Sequence, residues 1–392
     1  MSVVRRMGAV VAGAVAAVAA VSLLPTVMPA QQPALAAGSS DAAGVRMNQI
    51  QFMGAHNAYH REMQGAELNA SMKIDPTYPS WGWYSHASIP DLLGRQNMRG
   101  LELDLLPDPQ GGLYRHPLPR KLAGLGPIDD PAMATPGMKV LHVADMDYNS
   151  TCRTLVSCMQ QVQEWSRANP EHVPILFQLE LKQTDDRLEQ AGGAVSPAWD
   201  PALLDDIDEE IRSVFTENEL ITADDLRKPG LTLEQSVLKN GWPTLKWARG
   251  KVMFFFDNGG PGAIRDMYLN GHPNLAGRAV FTRGNPGDPD AAITMVNDPR
   301  GANTATITDL VKRGYMVRTR SDEPLSTVKD EEFSRLDVAL ASGAQLVTTD
   351  FPTVGMAARY DSDFVAELPG AVPVRCDPVS EPRNCHDGKL EG

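Results

Sequence analysis

The sequence is short of positive charge and of cysteine, and each shortage excludes a class of protein. Its 36 lysine and arginine residues are outnumbered by 49 acidic residues, and the net charge is −13 at pH 7. We therefore expect no nucleic-acid partner and no general attraction to an anionic membrane. Only four of the 392 residues are cysteines, and neither of their two close spacings resembles a zinc motif.

Long apolar runs are also missing, except near the N-terminus. Arg5 and Arg6 precede an Ala/Val-rich run at 8–24, and residues 34–36 offer a small-residue cleavage site. This order is typical of a secretory signal peptide at 1–36. An uncleaved anchor is the competing interpretation, and the prolines that follow the run count against it. No later segment is apolar enough to span a bilayer, so we expect a secreted protein without a transmembrane span.

The four cysteines form two close pairs, Cys152 with Cys158 and Cys376 with Cys385. In an exported protein, local disulfides are favoured over the other two connectivities. Each would stabilise the fold by about 2–3 kcal/mol on the chain-entropy model. The chain then divides into the signal peptide, a small-residue linker at 37–45, one domain at 46–367 and a tail at 368–392 held by its own disulfide.

Short apolar runs that end in polar residues recur along the chain. Eight are predicted strands, at 51–56, 100–106, 140–143, 174–181, 251–257, 279–283, 316–320 and 345–350. Helical patterns lie between them, at 89–97, 152–168, 201–215, 303–313 and 331–341. This alternation predicts an α/β fold, a (β/α)8 TIM barrel, with residues 183–250 as an insertion between strands four and five. An open doubly wound sheet is the alternative, but no glycine-rich phosphate fingerprint follows an early strand.

The run at 100–106, GLELDLL, carries two carboxylates at alternate positions. Alternate residues of a strand point to the same face, so Glu102 and Asp104 stand side by side. Two like charges on an apolar strand are costly unless a cation or hydrogen-bond donors compensate them. Oxygen ligands favour calcium or magnesium over zinc. The alternative is an edge strand whose two carboxylates face water.

Polar side chains stand at the ends of the predicted strands, where barrel enzymes have their active sites. They are His56, Asn57, Glu102, Asp104, His142, Glu180, Lys182, Asp257, Arg318, Arg320 and Asp350. Two histidines facing a cation, His56 and His142, indicate acid–base work on a phosphoester, although each could be a core residue instead. Asp257 and Asp350 are expected to be structural. Five further histidines lie in loops; His116 is expected to border the site, and the others are expected at the surface: His60, His86, His172 and His272.

Several segments resemble the X-region of phosphoinositide-specific phospholipase C, above all its secreted bacterial calcium-dependent group. They are 54–59 (GAHNAY), 99–104 (RGLELD), 140–142 (VLH) and 174–180 (PILFQLE), with further likeness at 165–170, 250–254 and 349–352. The resemblance spans roughly residues 48–360. It implies an enzyme that cleaves phosphatidylinositol to diacylglycerol and a cyclic inositol phosphate.

The resemblance also implies roles for individual residues. His56 would contact the phosphate, His142 would protonate the diacylglycerol leaving group, and Glu102 would take the proton of the inositol 2-hydroxyl. The implied calcium ligands are Asn57, Glu102, Asp104 and Glu180. Three cationic residues are candidates for binding substrate phosphate or inositol hydroxyls, with ion pairs at the barrel rim as the alternative: Lys182, Arg318 and Arg320.

The chain departs from animal members of this group after His142, where it reads Val-Ala-Asp-Met-Asp in place of a Gly-His continuation. We expect no pleckstrin, EF-hand or C2 module, so a monomer would meet the phosphoinositide membrane surface by another route. Residues 78–83 (YPSWGW) could insert there, or could pack on the barrel rim. Two other functions stay open. One is a metal-dependent glycerophosphodiester or sphingomyelin phosphodiesterase on the same barrel, and the other is a non-catalytic lipid-headgroup binding protein.

Overall fold

The computed structural model describes residues 44–323, 325–330, 332–383 and 385–391. The predicted signal peptide and most of the predicted linker lie outside these residues. Within the described part, no helix has both the length and the apolar composition needed to cross a membrane.

The described chain forms strands and helices in mixed order. The strands are β1 Ile50–Ala55, β2 Gly100–Asp108, β3 Gly137–Val140, β4 Ile175–Leu181, β5 Leu220–Ile221, β6 Val252–Phe256, β7 Val280–Phe281, β8 Ile293–Met295, β9 Met316–Arg320, β10 Leu346–Thr349 and β11 Arg375–Cys376. The helices are α1 Gly65–Ile74, α2 Ile89–Gly94, α3 Leu118–Leu122, α4 Leu155–Ala168, α5 Asp186–Gln190, α6 Pro201–Val214, α7 Ala223–Leu226, α8 Leu233–Asn240, α9 Leu245–Ala248, α10 Ala263–Leu269, α11 Ala302–Arg313, α12 Ser326–Lys329 and α13 Ser334–Ala341.

Eight strands form the curled parallel sheet of a TIM-barrel-like fold, which confirms the predicted fold class. Their order is β7-β6-β4-β2-β1-β10-β9-β8, and every neighbouring pair in it is parallel. The strands follow one another around the sheet in chain order, with β1 next to β10. The hydrogen-bonded pairing ends at β7 on one side and at β8 on the other. The short β5 pairs with the beginning of β6.

The predicted strand at 140–143 is wrong as a member of the parallel sheet. The chain forms β3 slightly earlier and antiparallel to β2, so this segment is a hairpin partner. The eighth parallel strand is β8, which pairs with β9 and was not predicted. Residues 183–250 therefore lie between the third and fourth strands of the ring, and α6 within them packs on α4 in the manner of a barrel helix.

Local chemistry fixes the helices that flank the sheet. Thr154 caps α4, because its hydroxyl accepts a hydrogen bond from the Ser157 backbone N–H at 3.1 Å. Asp200 caps α6 in the same way through the Leu203 N–H, at 2.9 Å, and Pro201 occupies the first helical position, where its missing N–H costs nothing. Both helices bury their apolar face in the main hydrophobic core.

The C-terminal segment, described at 375–383 and 385–391, lies at the amino ends of β1, β2 and β4. Its β11 pairs antiparallel with the beginning of β1, and Glu391 accepts hydrogen bonds from Arg99 Nε at 2.9 Å and from the Val173 N–H at 3.1 Å. Both predicted disulfides are present, Cys152–Cys158 and Cys376–Cys385. The carboxyl ends of the strands, on the opposite side, carry the polar residues described next.

Candidate active site

Parallel register between β2 and β4 brings the first carboxylates together. Asp104 is paired with Glu180, and Glu102 is paired with Gln178. Glu102 and Asp104 are 2% and 0% exposed, and β2 lies inside the sheet between β1 and β4. The alternative of an edge strand with carboxylates in water is therefore excluded.

A compact acidic cluster lies at these strand ends. One carboxylate oxygen each of Glu102, Glu180 and Asp257 lies within 4.8 Å of the others. Asp257, expected to be structural, follows β6 and accepts a hydrogen bond from Gln178 Nε2 at 2.6 Å. Burial raises the pKa of Glu102 well above its usual value; Arg318 opposes the shift, and the neighbouring carboxylates add to it. Such a concentration of negative charge favours a bound cation.

Two further side chains whose oxygen atoms could bind a metal ion, Asn57 and Asp104, are buried in the same region. Asn57 follows β1 with a left-handed backbone (φ 48°), and its amide Nδ2 donates to the Tyr84 hydroxyl at 3.0 Å. Among the described residues, Asn57 Oδ1 and Asp104 Oδ1 accept no hydrogen bond, and Asp104 Oδ2 has Lys182 Nζ at 3.2 Å. Buried oxygens without donors are costly, whereas amide and carboxylate oxygens are the ligands of calcium. The donor set therefore fits calcium.

The three predicted substrate-binding cations all lie in this region, and all are paired with carboxylates. Lys182 Nζ lies 3.2 Å from Asp104 Oδ2 and 2.9 Å from Glu180 Oε1. Arg318 Nη2 lies 3.0 Å from Glu102 Oε2. Arg320 Nη2 donates to Asp350 Oδ2 at 3.2 Å. The structure thus contains the ion pairs that were the alternative to substrate binding for these three residues. Their contact with substrate phosphate or inositol hydroxyls stays a prediction.

His56 lies at the carboxyl end of β1 and is held by a carboxylate from the end of β10. Its Nδ1 is 2.7 Å from Asp350 Oδ1, and its Nε2 is 3.7 Å from Glu102 Oε1. Burial lowers the pKa of His56 well below its usual value, and the positive charges of Arg320 and Arg318 lower it further. The imidazole is therefore neutral near neutral pH, with its tautomer set by Asp350.

His142 lies in the turn that follows β3. The backbones of Val143 and Asp147 bond to each other in both directions, at 2.9 and 2.8 Å, and this tight turn places Asp147 Oδ2 2.7 Å from His142 Nδ1. Burial lowers the pKa of His142, but the hydrogen bond and charge of Asp147, with Asp104, outweigh burial and raise it. Nothing in the sequence pattern had singled out Asp147.

Three histidines predicted at the surface are buried: His60, His86 and His172. His60 Nε2 lies 2.7 Å from the same Asp147 oxygen that His142 contacts, and its ring stacks on Tyr84 with centroids 4.3 Å apart. His86 Nε2 contacts the His56 carbonyl at 2.8 Å. His172 lies between Ser166 and the Val173 carbonyl near the amino ends of the strands.

The other two loop histidines make local contacts. His116 is bonded to the Leu125 carbonyl at 3.0 Å, and His272 to the Ala276 carbonyl at 2.8 Å. Leu125 and Ala276 are nine and four residues from their histidines in sequence. Neither contact links these histidines to the acidic cluster.

The aromatic segment 78–83 packs on the barrel. Tyr78 is buried and donates to Asp147 Oδ1 at 3.0 Å. The Trp81 ring meets the His142 ring edge-on, with centroids 5.6 Å apart. Arg359 lies over the Trp83 ring at 5.5 Å. The segment therefore packs on the barrel rim and forms a wall of the site. Of the two interpretations of 78–83, this is packing on the rim and not insertion into a membrane.

Comparison with solved structures agrees with this architecture. An apo calcium-dependent phosphoinositol-specific phospholipase C from Pseudomonas sp. aligns in one crystal form with a TM-score of 0.51, at 16% identity, over 86% of this chain and 96% of that chain. A second crystal form gives 0.50 at 16% identity, over 86% and 97%. The calcium-dependent phosphatidylinositol-specific enzyme from Streptomyces antibioticus gives 0.49 at 18% identity, over 79% and 95%. At these identities the Pseudomonas likeness shows the fold alone.

The sequence itself identifies the family. No curated protein matches the chain significantly. A model of the family "Phosphoinositide phospholipase C, Ca2+-dependent" matches residues 45–378, which is most of the chain and includes every side chain of the site. The chain belongs to the calcium-dependent phosphoinositide phospholipase C family and is therefore a phosphodiesterase.

Proposed function

We propose that the protein is a secreted enzyme that cleaves phosphatidylinositol to diacylglycerol and a cyclic inositol phosphate. The observation that carries this proposal is the placement of two histidines, each held by an aspartate, beside one acidic cluster: His56 on Asp350 and His142 on Asp147. The pKa of His56 is lowered and that of His142 is raised, which agrees with separate roles for the two imidazoles in acid–base cleavage of a phosphodiester.

His142 is the general acid. Asp147 holds its Nδ1, so the Nε2–H of the imidazolium is directed away from Asp147. The His142 side chain is 20% exposed, and it lines a cavity open to solvent. As the bond between phosphorus and the glycerol oxygen breaks, His142 Nε2 gives its proton to that oxygen and diacylglycerol leaves.

Glu102 is the general base, and His56 positions the phosphate. The inositol 2-hydroxyl oxygen forms the new bond to phosphorus, and its proton passes to Glu102, a buried carboxylate of the acidic cluster. His56 is oriented by Asp350 through Nδ1, so its Nε2 is directed toward Glu102. Nε2 donates a hydrogen bond to a phosphate oxygen once it takes up a proton, which the negative charge of the bound phosphate favours. Calcium bound by Asn57, Glu102, Asp104 and Glu180 would supply positive charge that polarises the phosphate and acidifies the hydroxyl.

Exposed apolar side chains support contact with a membrane surface. Among the described residues, five of the six exposed large hydrophobic residues lie in the connections that follow the carboxyl ends of β2, β4 and β10, and the sixth, Trp247, lies in α9. The five are Leu113, Leu122 (at the end of α3), Leu125, Val195 and Val354. They are on the same side of the barrel as the acidic cluster. Apolar side chains at such a rim would bring an acidic protein to lipid without electrostatic attraction.

Two features support export. Arg5 and Arg6 followed by the apolar run have the order of a signal peptide. The two disulfides are stable in an oxidising compartment.

The proposed reaction is tested with the purified protein on phosphatidylinositol vesicles, with ³¹P NMR to identify the phosphorus product. We expect a cyclic phosphodiester, loss of turnover with a calcium chelator, and recovery on adding calcium. Sphingomyelin and glycerophosphoinositol, offered in parallel, are expected to react more slowly. Full turnover in the presence of chelator, or an acyclic product from the first turnover, would contradict the proposed mechanism.

A further inference from the structure

A groove beside His142 has no role in the chemistry described so far. It is a cavity of about 490 Å³ between the turn after β3 and the segment that joins β4 to α5, with Trp81 on a third side. This volume is in the range of small-molecule sites. His142 and Lys182 are among the residues that line it.

The floor of the groove is apolar. Leu118, Met146 and Leu188 form a small cluster with Trp81 and Val143, separate from the main core of the barrel. Leu188 and Met146 are 7% and 8% exposed, and both line the cavity. Apolar surface that faces an open groove gains free energy when an apolar group covers it.

The charges at the groove favour a neutral occupant. Asp75 and Asp185 place carboxylates in its wall, and Arg187 is bound to Asp185 Oδ2 at 2.9 Å. Asp75 accepts hydrogen bonds from Thr77 and Trp81, and Lys182, which also lines the groove, is paired with Asp104 and Glu180. The charges of these wall residues are thus already engaged, and the apolar floor has no donor for an anion. An uncharged, partly apolar group is the chemistry that fits.

The groove lies next to His142, and this position indicates which part of a substrate would reach it. His142 belongs to its wall, whereas His56, Arg318 and Arg320 do not line it. In the proposed reaction His142 protonates the leaving oxygen, so the group attached to that oxygen extends toward the groove.

We propose that this groove is the leaving-group subsite, and that it binds the glycerol backbone and the ester-proximal part of an acyl chain of diacylglycerol. The inference rests on the proposed function, since it assigns a place to the alcohol that His142 releases. It makes the structure of the alcohol, and not the inositol headgroup alone, a determinant of rate.

The test compares two monomeric substrates with the same inositol phosphate: a short-chain diacyl phosphatidylinositol and the methyl ester of inositol phosphate. Two variants narrow the groove. Leu188→Trp fills it from the floor, and Gln183→Trp fills it from an exposed position in its wall, where loss of folding is not expected. Gln190→Trp is the matched control, because Gln190 is exposed on α5 and does not line the groove.

We expect the ratio of kcat/KM for the diacyl substrate to kcat/KM for the methyl ester to fall about tenfold in both groove variants, as for steric discrimination in a pocket. Gln190→Trp should keep the wild-type ratio. A wild-type ratio in Gln183→Trp, or the same fall in Gln190→Trp, would overturn the subsite alone. A wild-type enzyme that cleaves neither ester would refute the proposed function, and the subsite with it.

Discussion

The site contains two histidine–aspartate pairs of equal length and opposite behaviour. His56 lies 2.7 Å from Asp350, and His142 lies 2.7 Å from Asp147. The pKa of His56 is lowered and that of His142 is raised. A carboxylate partner alone therefore does not decide the protonation state of a histidine.

The difference comes from what surrounds each pair. Around His56, burial and the positive charges of Arg320 and Arg318 oppose the imidazolium. Around His142, Asp147 and Asp104 supply negative charge that outweighs burial. The neighbouring cations therefore favour the neutral form of His56, and the neighbouring carboxylates favour the protonated form of His142.

Removing the acid should have the largest effect on turnover. We expect His142→Ala to lower kcat on phosphatidylinositol by about 10²- to 10⁴-fold, as for loss of a general acid. Circular dichroism and thermal unfolding of the variant control for folding. A wild-type kcat would remove His142 from the mechanism and would make the two pairs equivalent.

Neutralising one carboxylate should make the two pairs more alike. Asp147→Asn removes the charge that raises the pKa of His142, so we expect about a 10- to 100-fold loss of kcat. The protonated form of His142 is the active one, and its raised pKa carries activity to higher pH. The alkaline limb of the pH–rate profile should therefore move to lower pH in Asp147→Asn. The matched change Asp350→Asn should leave that limb in place; an equal shift in both variants would contradict the division of roles.

The acidic cluster can be tested without turnover. Asp104→Asn removes one charge from the donor set, and we expect calcium affinity, measured by calorimetry, to fall about tenfold because ligand charge tunes calcium binding. Asp298→Asn, which changes a carboxylate paired with Arg300 outside the cluster, is the control. Equal calcium affinity in the two variants would place the metal elsewhere.

The smallest effect is expected at the histidine that shares Asp147. His60→Leu removes one donor from Asp147 Oδ2, so that oxygen acts more strongly on His142. The alkaline limb should move to higher pH, opposite to Asp147→Asn and by a smaller amount. The free energy of unfolding should fall by about 1.5–3 kcal/mol, the range for a hydrogen bond to a charged group. His60→Gln, which keeps a donor, should recover part of both changes, and an unchanged profile in His60→Leu would assign His60 a structural role only.

Much of the fold was predictable because the repeating signals are local. Alternate apolar runs and amphipathic helices such as α4 and α6 follow from periodicity, and they determine the ring. The run at 140–143 has the same local pattern, and only its partner strand makes it antiparallel. The strand β8 lies in the apolar run 291–296, which ends in polar residues like the predicted strands, and it was missed.

The site was predictable where it follows strand ends and not where it depends on turns. His56 follows β1, and Asp104 and Glu180 lie near the end of the parallel pairing of β2 with β4. Glu102 stands two residues before Asp104 on the same face of β2, so the meeting of these side chains follows from the fold. Asp147 reaches His142 through a tight turn of irregular backbone, which periodicity does not describe. The burial of His60 depends on stacking against Tyr84, a contact between distant segments.

The C-terminal segment, described at 375–383 and 385–391, contacts the amino ends of β1, β2 and β4. The acidic cluster and both histidine–aspartate pairs lie at the opposite, carboxyl ends of the strands. Substitutions that loosen the barrel near Arg99 and Glu391 would thus lower the melting temperature and spare the reaction. Substitutions near the acidic cluster would lower the reaction rate and leave the melting temperature unchanged. A randomised library scored for both thermal resistance and lipid cleavage should therefore separate into two spatially distinct populations.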